Sequence, residues 1–279
     1  MRWPVVGRIV PLLLMLPWVS ATWGADEAPR PKTGMTVWDT GQPSAGALSP
    51  EALAGKNDWT AIPPEQTADA FKGDAVVSNG RIIAVLRKQV AAVEVHPLKP
   101  DGGTVRLRLR LLSAAGEPAA RPERVALVEN TKGAATLEAS FRTTKGAEVA
   151  ARFRLKRGDV SVQTEPGTGA GKLRVECIGR FVVLPDFFAD DITLDAAKVP
   201  LGAVELPSEN FVLHLTGNGD AIAMCVFENR QQDVTATLTG EGELRLVTGS
   251  EIGIEGKKVW VALLEAPQIW HARNLKADD

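Results

Sequence analysis

The sequence predicts an all-β protein, a large antiparallel two-sheet β-sandwich, and three observations carry the prediction. Thr104 to Leu111 alternates apolar and charged residues without a break. Neighbouring side chains of a strand leave opposite faces, so Val105, Leu107, Leu109 and Leu111 can enter a core while Arg106, Arg108 and Arg110 face outward. The same two-residue rhythm recurs from Ala134 to Pro267, with no amphipathic helix of useful length. Turn signals rich in Gly, Asn and Asp punctuate the runs about every 8 to 12 residues, the spacing of sandwiches and barrels. Two packed antiparallel layers are the simplest way to bury that many half-apolar strands.

The elements follow in order. Arg2 and Arg8 precede an apolar run at Leu12 to Leu16 and small residues at Ser20 and Ala21, the layout of a secretory signal peptide over residues 1–21. Pro11 and Pro17 flank the run, which is too short to span a bilayer comfortably. Cleavage after Ala21, or after Gly24, is expected to leave a secreted or periplasmic chain with no stable membrane insertion. No Cys stands near the cleavage point to carry a lipid.

Residues 22–70 are rich in Pro, Ala, Gly and Thr and read as an extended lead-in. They hold one helical cue, with Ser49 as cap, Pro50 and Glu51 in the first turn and Gly55 as the stop. Trp38 and Trp59 can lay this segment against a folded body, expected over residues 71–270 and followed by a tail at 271–279.

Within that body, Asp74 to Ser78 and Arg81 to Arg87 flank Asn79-Gly80, the signature of a two-residue type I′ hairpin. Strands are expected over Gln89–His96, Thr104–Leu112, Arg124–Asn130, Ala134–Thr143, Ala147–Lys156, Val160–Thr164 and Lys172–Leu184. Pro185 to Asn210 is one long irregular insertion. Phe211–Leu215, Asp220–Glu228, Asp233–Thr239, Glu243–Thr248, Glu251–Glu255 and Lys258–Leu264 bring the expected total to about fifteen strands.

Composition narrows the function. The chain has 32 basic and 34 acidic residues, and signal removal takes Arg2 and Arg8, for a net charge of about −4, which argues against a nucleic-acid partner. A mature length of about 258 residues suits one large all-β domain. Cys177 and Cys225, the only cysteines, admit two readings. A bridge between them would contribute about 4 kcal/mol in the chain-entropy model, or each is a small buried apolar residue. Neither spacing suggests zinc, and no metal or cofactor is expected. Gly-x-Ser-x-Gly, His-Glu-x-x-His and phosphate-binding glycine loops are absent, and the chain contains no Tyr, so the common hydrolase, zinc-protease, nucleotide-binding and Tyr-dependent lyase chemistries fall away.

Two sets of candidate residues remain. Asp190 and Asp191 in the long insertion, with Glu209 and His214, are the candidate acid and base groups for sugar chemistry at one end of the sandwich. Arg106, Arg108 and Arg110 on one strand, and Arg152 and Arg154 on another, are the candidate ligand-binding residues. Same-face residues repeat about every 6.6 to 6.8 Å, which suits guanidinium contacts to an acidic polysaccharide. The bland alternative is a solvated face neutralised by partners such as Glu138 and Glu148.

The runs Phe71-Lys72-Gly73-Asp74-Ala75-Val76-Val77, Pro185-Asp186-Phe187-Phe188-Ala189-Asp190-Asp191, Leu206-Pro207-Ser208-Glu209-Asn210-Phe211 and Gly219-Asp220-Ala221 resemble the amino-terminal β-sandwich region of large uncharacterised secreted bacterial proteins. The likeness covers residues 70–270 and extends, at the level of fold, to the supersandwich of galactose-mutarotase-like proteins. It implies a domain that in longer proteins precedes others, and it supplies no catalytic residues. The resulting expectation is an exported non-catalytic domain that binds a glycan or packs against other protein domains. The alternative is a glycan-active enzyme, mutarotase-like or glycoside-processing.

Overall fold

The structure, a computed structural model, describes residues 34–184, 192–207, 210–232 and 234–271. The strands in chain order are β1 (Thr36–Asp39), β2 (Thr60–Ile62), β3 (Ala75–Ser78), β4 (Ile82–Leu86), β5 (Val93–Pro97), β6 (Leu107–Ser113), β7 (Ala119–Asn130), β8 (Ala134–Thr143) and β9 (Glu148–Lys156). They continue with β10 (Ser161–Pro166), β11 (Ala170–Leu184), β12 (Ile192–Asp195), β13 (Ala203–Leu206), β14 (Phe211–Thr216), β15 (Ala221–Phe227), β16 (Val234–Thr239), β17 (Leu246–Gly253) and β18 (Val259–Glu265). One short helix, α1 (Pro50–Gly55), lies between β1 and β2.

All pairings are antiparallel, and they resolve into two layers that share β11. The first layer runs β2–β1–β3–β4–β5–β6–β11–β17–β16–β13. The second runs β12–β11–β14–β15–β18–β10–β9–β8–β7. Residues Lys172–Glu176 of β11 pair with β6 and β17, whereas Gly179–Val183 pair with β14, and the register shifts between Glu176 and Gly179. A bulge of this kind lets one strand turn the corner from sheet to sheet. The inward positions show it, since Leu173, Val175 and Cys177 are buried before the shift and Val182 and Leu184 after it.

The alternation read from the sequence holds from Leu107 to Leu111, while Val105, ahead of β6, is only partly buried and lies outside the core. Leu107, Leu109 and Leu111 are buried, and they share one core with Phe141, Phe153 and Leu155 of the facing layer. Each such side chain contributes roughly 1.5–3 kcal/mol by leaving water. The strands β3, β4 and β5 differ, being buried on both faces. Their inner side chains join the main core, while Val76, Ile83 and Val85 form a second cluster with Leu53, Trp38, Leu48 and Trp59. The described part of the lead-in, residues 34–70, is therefore part of the sandwich, and among the described residues the sheet begins at Thr36 rather than near Phe71.

Two local expectations are corrected. Asn79-Gly80 is not a type I′ turn, because Gly80 alone of the pair has a positive φ, at 90°. Asn79 instead accepts hydrogen bonds from the Arg81 and Ile82 amides at 3.0 Å and donates to the carbonyls of Lys156 and Asp159 at 2.8 and 2.9 Å, which ties this hairpin to the β9–β10 turn. At the end of α1 the left-handed residue is Lys56, with φ 49°, and not Gly55. Lys56 is held there by a 2.7 Å bond from Nζ to the Leu53 carbonyl, with Nζ 5.0 Å from the centre of the Trp38 ring.

Of the two readings for the cysteines, the structure has the unbridged one. Cys177 and Cys225 are both free and buried. Burial raises both thiols, Cys225 to about 12, and the nearby Cys225 adds to the rise at Cys177.

Candidate functional site

The outer face of the first layer has two halves. Over β3 to β5 it is roofed by the lead-in, and buried polar groups pin the roof down. Asp74 accepts from the Ser44 amide at 3.0 Å, from the Ser44 hydroxyl, and from the Lys88 amide at 2.8 Å. Arg87, also buried, donates to the Ser44 hydroxyl at 3.1 Å and to its carbonyl at 2.9 Å.

Beyond β5 the roof stops. Here the outward residues of β6, β11, β17 and β16 line an open groove of about 660 Å³, among them Arg106, Arg108, Arg174, Glu176, Thr237 and Thr248. Register fixes their order, with Glu94, Arg108, Glu176, Gly249 and Thr237 side by side on successive strands. Gly249 is required in this row. A Cβ there would stand 2.3 Å from the Val175 carbonyl oxygen, and its φ of 154° belongs to the bulge in β17.

Each groove arginine is anchored from behind by a carboxylate. Arg106 gives Nε to Glu265 at 2.6 Å and Nη2 to Asp220 at 2.9 Å. Arg108 gives Nε to Glu94 at 3.1 Å, and Glu94, fully buried, also lies 3.5 Å from Arg87. Arg174 gives Nε to Glu251 at 3.0 Å and Nη2 to the same oxygen. At the groove edge Arg110 gives Nε to Glu176 at 2.9 Å and Nη1 to the carbonyls of Ala91 and Ala119. Burial works against the charge of Arg106, yet Glu265 and Asp220 outweigh it and raise its pKa. The arrangement leaves forward N–H groups unspent at Arg106 Nη1, at Arg108 Nη1 and Nη2, and at Arg174 Nη1, with Glu176 Oε2 as a free acceptor among the described residues. Such a surface can hydrogen-bond polar ligand oxygens with little loss of side-chain freedom, because the guanidinium groups are already fixed.

Arg152 and Arg154 lie elsewhere. Their β9 neighbours Ala151, Phe153 and Leu155 fill the core, so the two arginines face outward from the second layer, on the opposite side of the sandwich. There Arg152 pairs with Glu138 at 2.9 Å and Arg154 with both oxygens of Glu129 at 2.8 and 2.9 Å. The two arginine rows form no common surface.

Among the candidate acid and base groups, Asp190, Asp191 and Glu209 lie outside the described residues. His214 does not face a groove. It points into the core between the layers, where Nε2 is 3.0 Å from the Ser250 hydroxyl of β17. Burial lowers its pKa to about 4, so it stays neutral and has no exposed proton acceptor. The physical reason is register, since His214 shares the inward parity of Val212 and Thr216. Its expected place at an open sandwich end is thereby corrected. No group of His, Cys, Asp and Glu suited to a metal ion occurs among the described residues.

The sequence reading did not single out Arg174, Glu176, Thr237 or Thr248. The signal for the first two was present, since Lys172–Cys177 has the same apolar–charged alternation as β6. What was missing was the adjacency of β6 and β11. Among the described residues the groove has no aromatic lining residue. Trp270 instead donates Nε1 to the carbonyls of Thr216 and Ala221 and packs edge-on against Phe181, closing the end of the β14–β15 hairpin.

No family model matches the chain, and no curated protein does. Solved structures with a similar course of the backbone include the GH36 alpha-galactosidase AgaB from Geobacillus stearothermophilus, at 10% identity and TM-score 0.43, over 70% of this chain and 40% of that one. A heparan sulfate lyase HepC mutant from Pedobacter heparinus aligns at 9% identity and TM-score 0.40, over 78% of this chain and 40% of that one. The chain spans about two fifths of the length of these structures. The class that the fold defines is the all-β antiparallel sandwich.

Proposed function

We propose that the protein is an exported β-sandwich domain that binds a glycan in the groove across β6, β11, β17 and β16. One observation carries the reading: three arginines lining a single open groove are each locked from the rear by carboxylates while keeping N–H donors free toward solvent. Glycans present dense arrays of oxygen acceptors, and a rigid strand platform positions fixed donors more accurately than a loop does. Glu176 and the threonine hydroxyls supply the acceptors that sugar hydroxyls need in return. The groove is a binding surface rather than a reaction centre in this proposal, because among the described residues its lining pairs one carboxylate with arginines and offers no histidine.

The test is a glycan array read with the wild type and with an Arg106→Ala, Arg174→Ala double variant. Binding that falls at least about tenfold in the variant is expected, since hydrogen bonds to charged groups are worth about 1.5–3 kcal/mol each. Binding indifferent to both substitutions, or no glycan bound by the wild type, rejects the proposal.

A further inference from the structure

Resting on that groove reading, we infer that the bound glycan carries a carboxylate, as a uronate-containing chain does, and that Arg108 seats it through Nη1 and Nη2. Arg108 differs from its neighbours in how its donors are spent. Arg106 and Arg174 each commit Nε and one terminal nitrogen to carboxylates, and Arg110 commits Nε and Nη1. Among the described residues Arg108 commits Nε alone, to the fully buried Glu94, and it lines the groove with both terminal nitrogens uncommitted. That end of a guanidinium donates two parallel hydrogen bonds, a geometry matched by the two oxygens of a carboxylate and not by one sugar hydroxyl. Glu94 fixes the plane of the fork beforehand, since it is held between Arg87 and Arg108 at the seam between the roofed and open halves.

Position gives the ligand an orientation. Glu176 stands directly across from Arg108 on β11, and its free oxygen would repel a second carboxylate. The acidic group therefore lies on the β6 side, beside Arg106 and Arg108, with hydroxyls toward Glu176, Thr237 and Thr248. Charge balance argues against a densely sulfated polymer. Five carboxylates, Glu94, Glu176, Asp220, Glu251 and Glu265, are paired with seven cations, Arg87, Lys99, Arg106, Arg108, Arg110, Lys172 and Arg174. An excess of two positive charges suits one or two ligand carboxylates recognised at short range.

The experiment is calorimetric titration of the full chain with polygalacturonate, alginate and glucuronan, each beside its carboxyl-reduced, neutral derivative. At least one acidic polymer is expected to bind, with its reduced form weaker by about tenfold or more. Arg108→Lys, which keeps the charge and loses the fork, is expected to lose about tenfold for that polymer at an unchanged melting temperature. Binding is expected to survive about 0.5 M salt, where long-range attraction is screened. Equal affinity for a polymer and its reduced form, undiminished binding by Arg108→Lys, or loss of binding in salt overturns the carboxylate assignment and leaves the groove reading standing. Neutral glycans bound on the array with all three acidic polymers ignored does the same, whereas failure to bind any glycan sinks the groove reading itself.

Discussion

The roofed and open halves of the first layer's outer face are built from the same antiparallel strands, yet one is a second core and the other a charged groove. On β3 and β4 the outward positions include Val76, Ile83 and Val85, which would be costly in water and are covered by Leu53, Trp38 and Trp59. On β6 and β11 the outward positions are arginines and a glutamate, which a roof would have to desolvate. The lead-in covers the half that needs covering and stops where the charges begin. Glu94 marks the border, reaching Arg87 on the roofed side and Arg108 on the open side.

The comparison is broken most severely at that border. Glu94→Ala removes the shared carboxylate and leaves the buried Arg87 without its anion, and the expected loss is about 3–5 kcal/mol of stability, measured by urea denaturation. A stability change below about 1 kcal/mol would show that the seam holds nothing together.

A pH titration separates the buried interior from the open half. His214 has its pKa lowered by burial to about 4 from an ordinary 6.5, so the folded state disfavours the charged form. Stability from this source is complete above about pH 6.5 and is lost as pH falls toward 4, by about 3 kcal/mol in all. His96, under the roofed half, shifts in the same direction because of its own burial. His214→Gln is expected to flatten the unfolding profile in that window; an unchanged slope would place the titration elsewhere.

Leu53→Ala tests the roof alone. Its side chain is buried in the second cluster, so about 2–4 kcal/mol of stability is expected to go, with glycan affinity unaltered. A matching drop in affinity would mean that the roof shapes the groove. The smallest effect belongs to the far side of the molecule. Arg152→Ala with Arg154→Ala removes half-exposed ion pairs worth less than about 1 kcal/mol each and is expected to leave binding untouched.

Strand rhythm made most of these elements legible, because period-two alternation is a local property of the chain. Leu107 and Leu109 lie inside and Arg106, Arg108 and Arg110 outside, as the sequence required. The rhythm was misleading where it was read without partners. His214 had the alternation of any strand residue, and nothing local said that its parity pointed into the core. Nor did the two arginine rows carry any local sign of their relative placement, which follows only from β6 and β9 belonging to different layers.

By itself, then, the sequence determined the class of fold, the identity of the inward and outward residues on most strands, and the helix start at Ser49. Each depends on side chains a few positions apart. Tertiary structure alone decided that β11 turns the corner between layers, that the lead-in roofs only half of one face, and that Arg174 and Glu176 join Arg108 in one groove. Those outcomes depend on pairings between residues tens of positions apart, where hydrogen-bond register and burial, rather than local preference, select the neighbours.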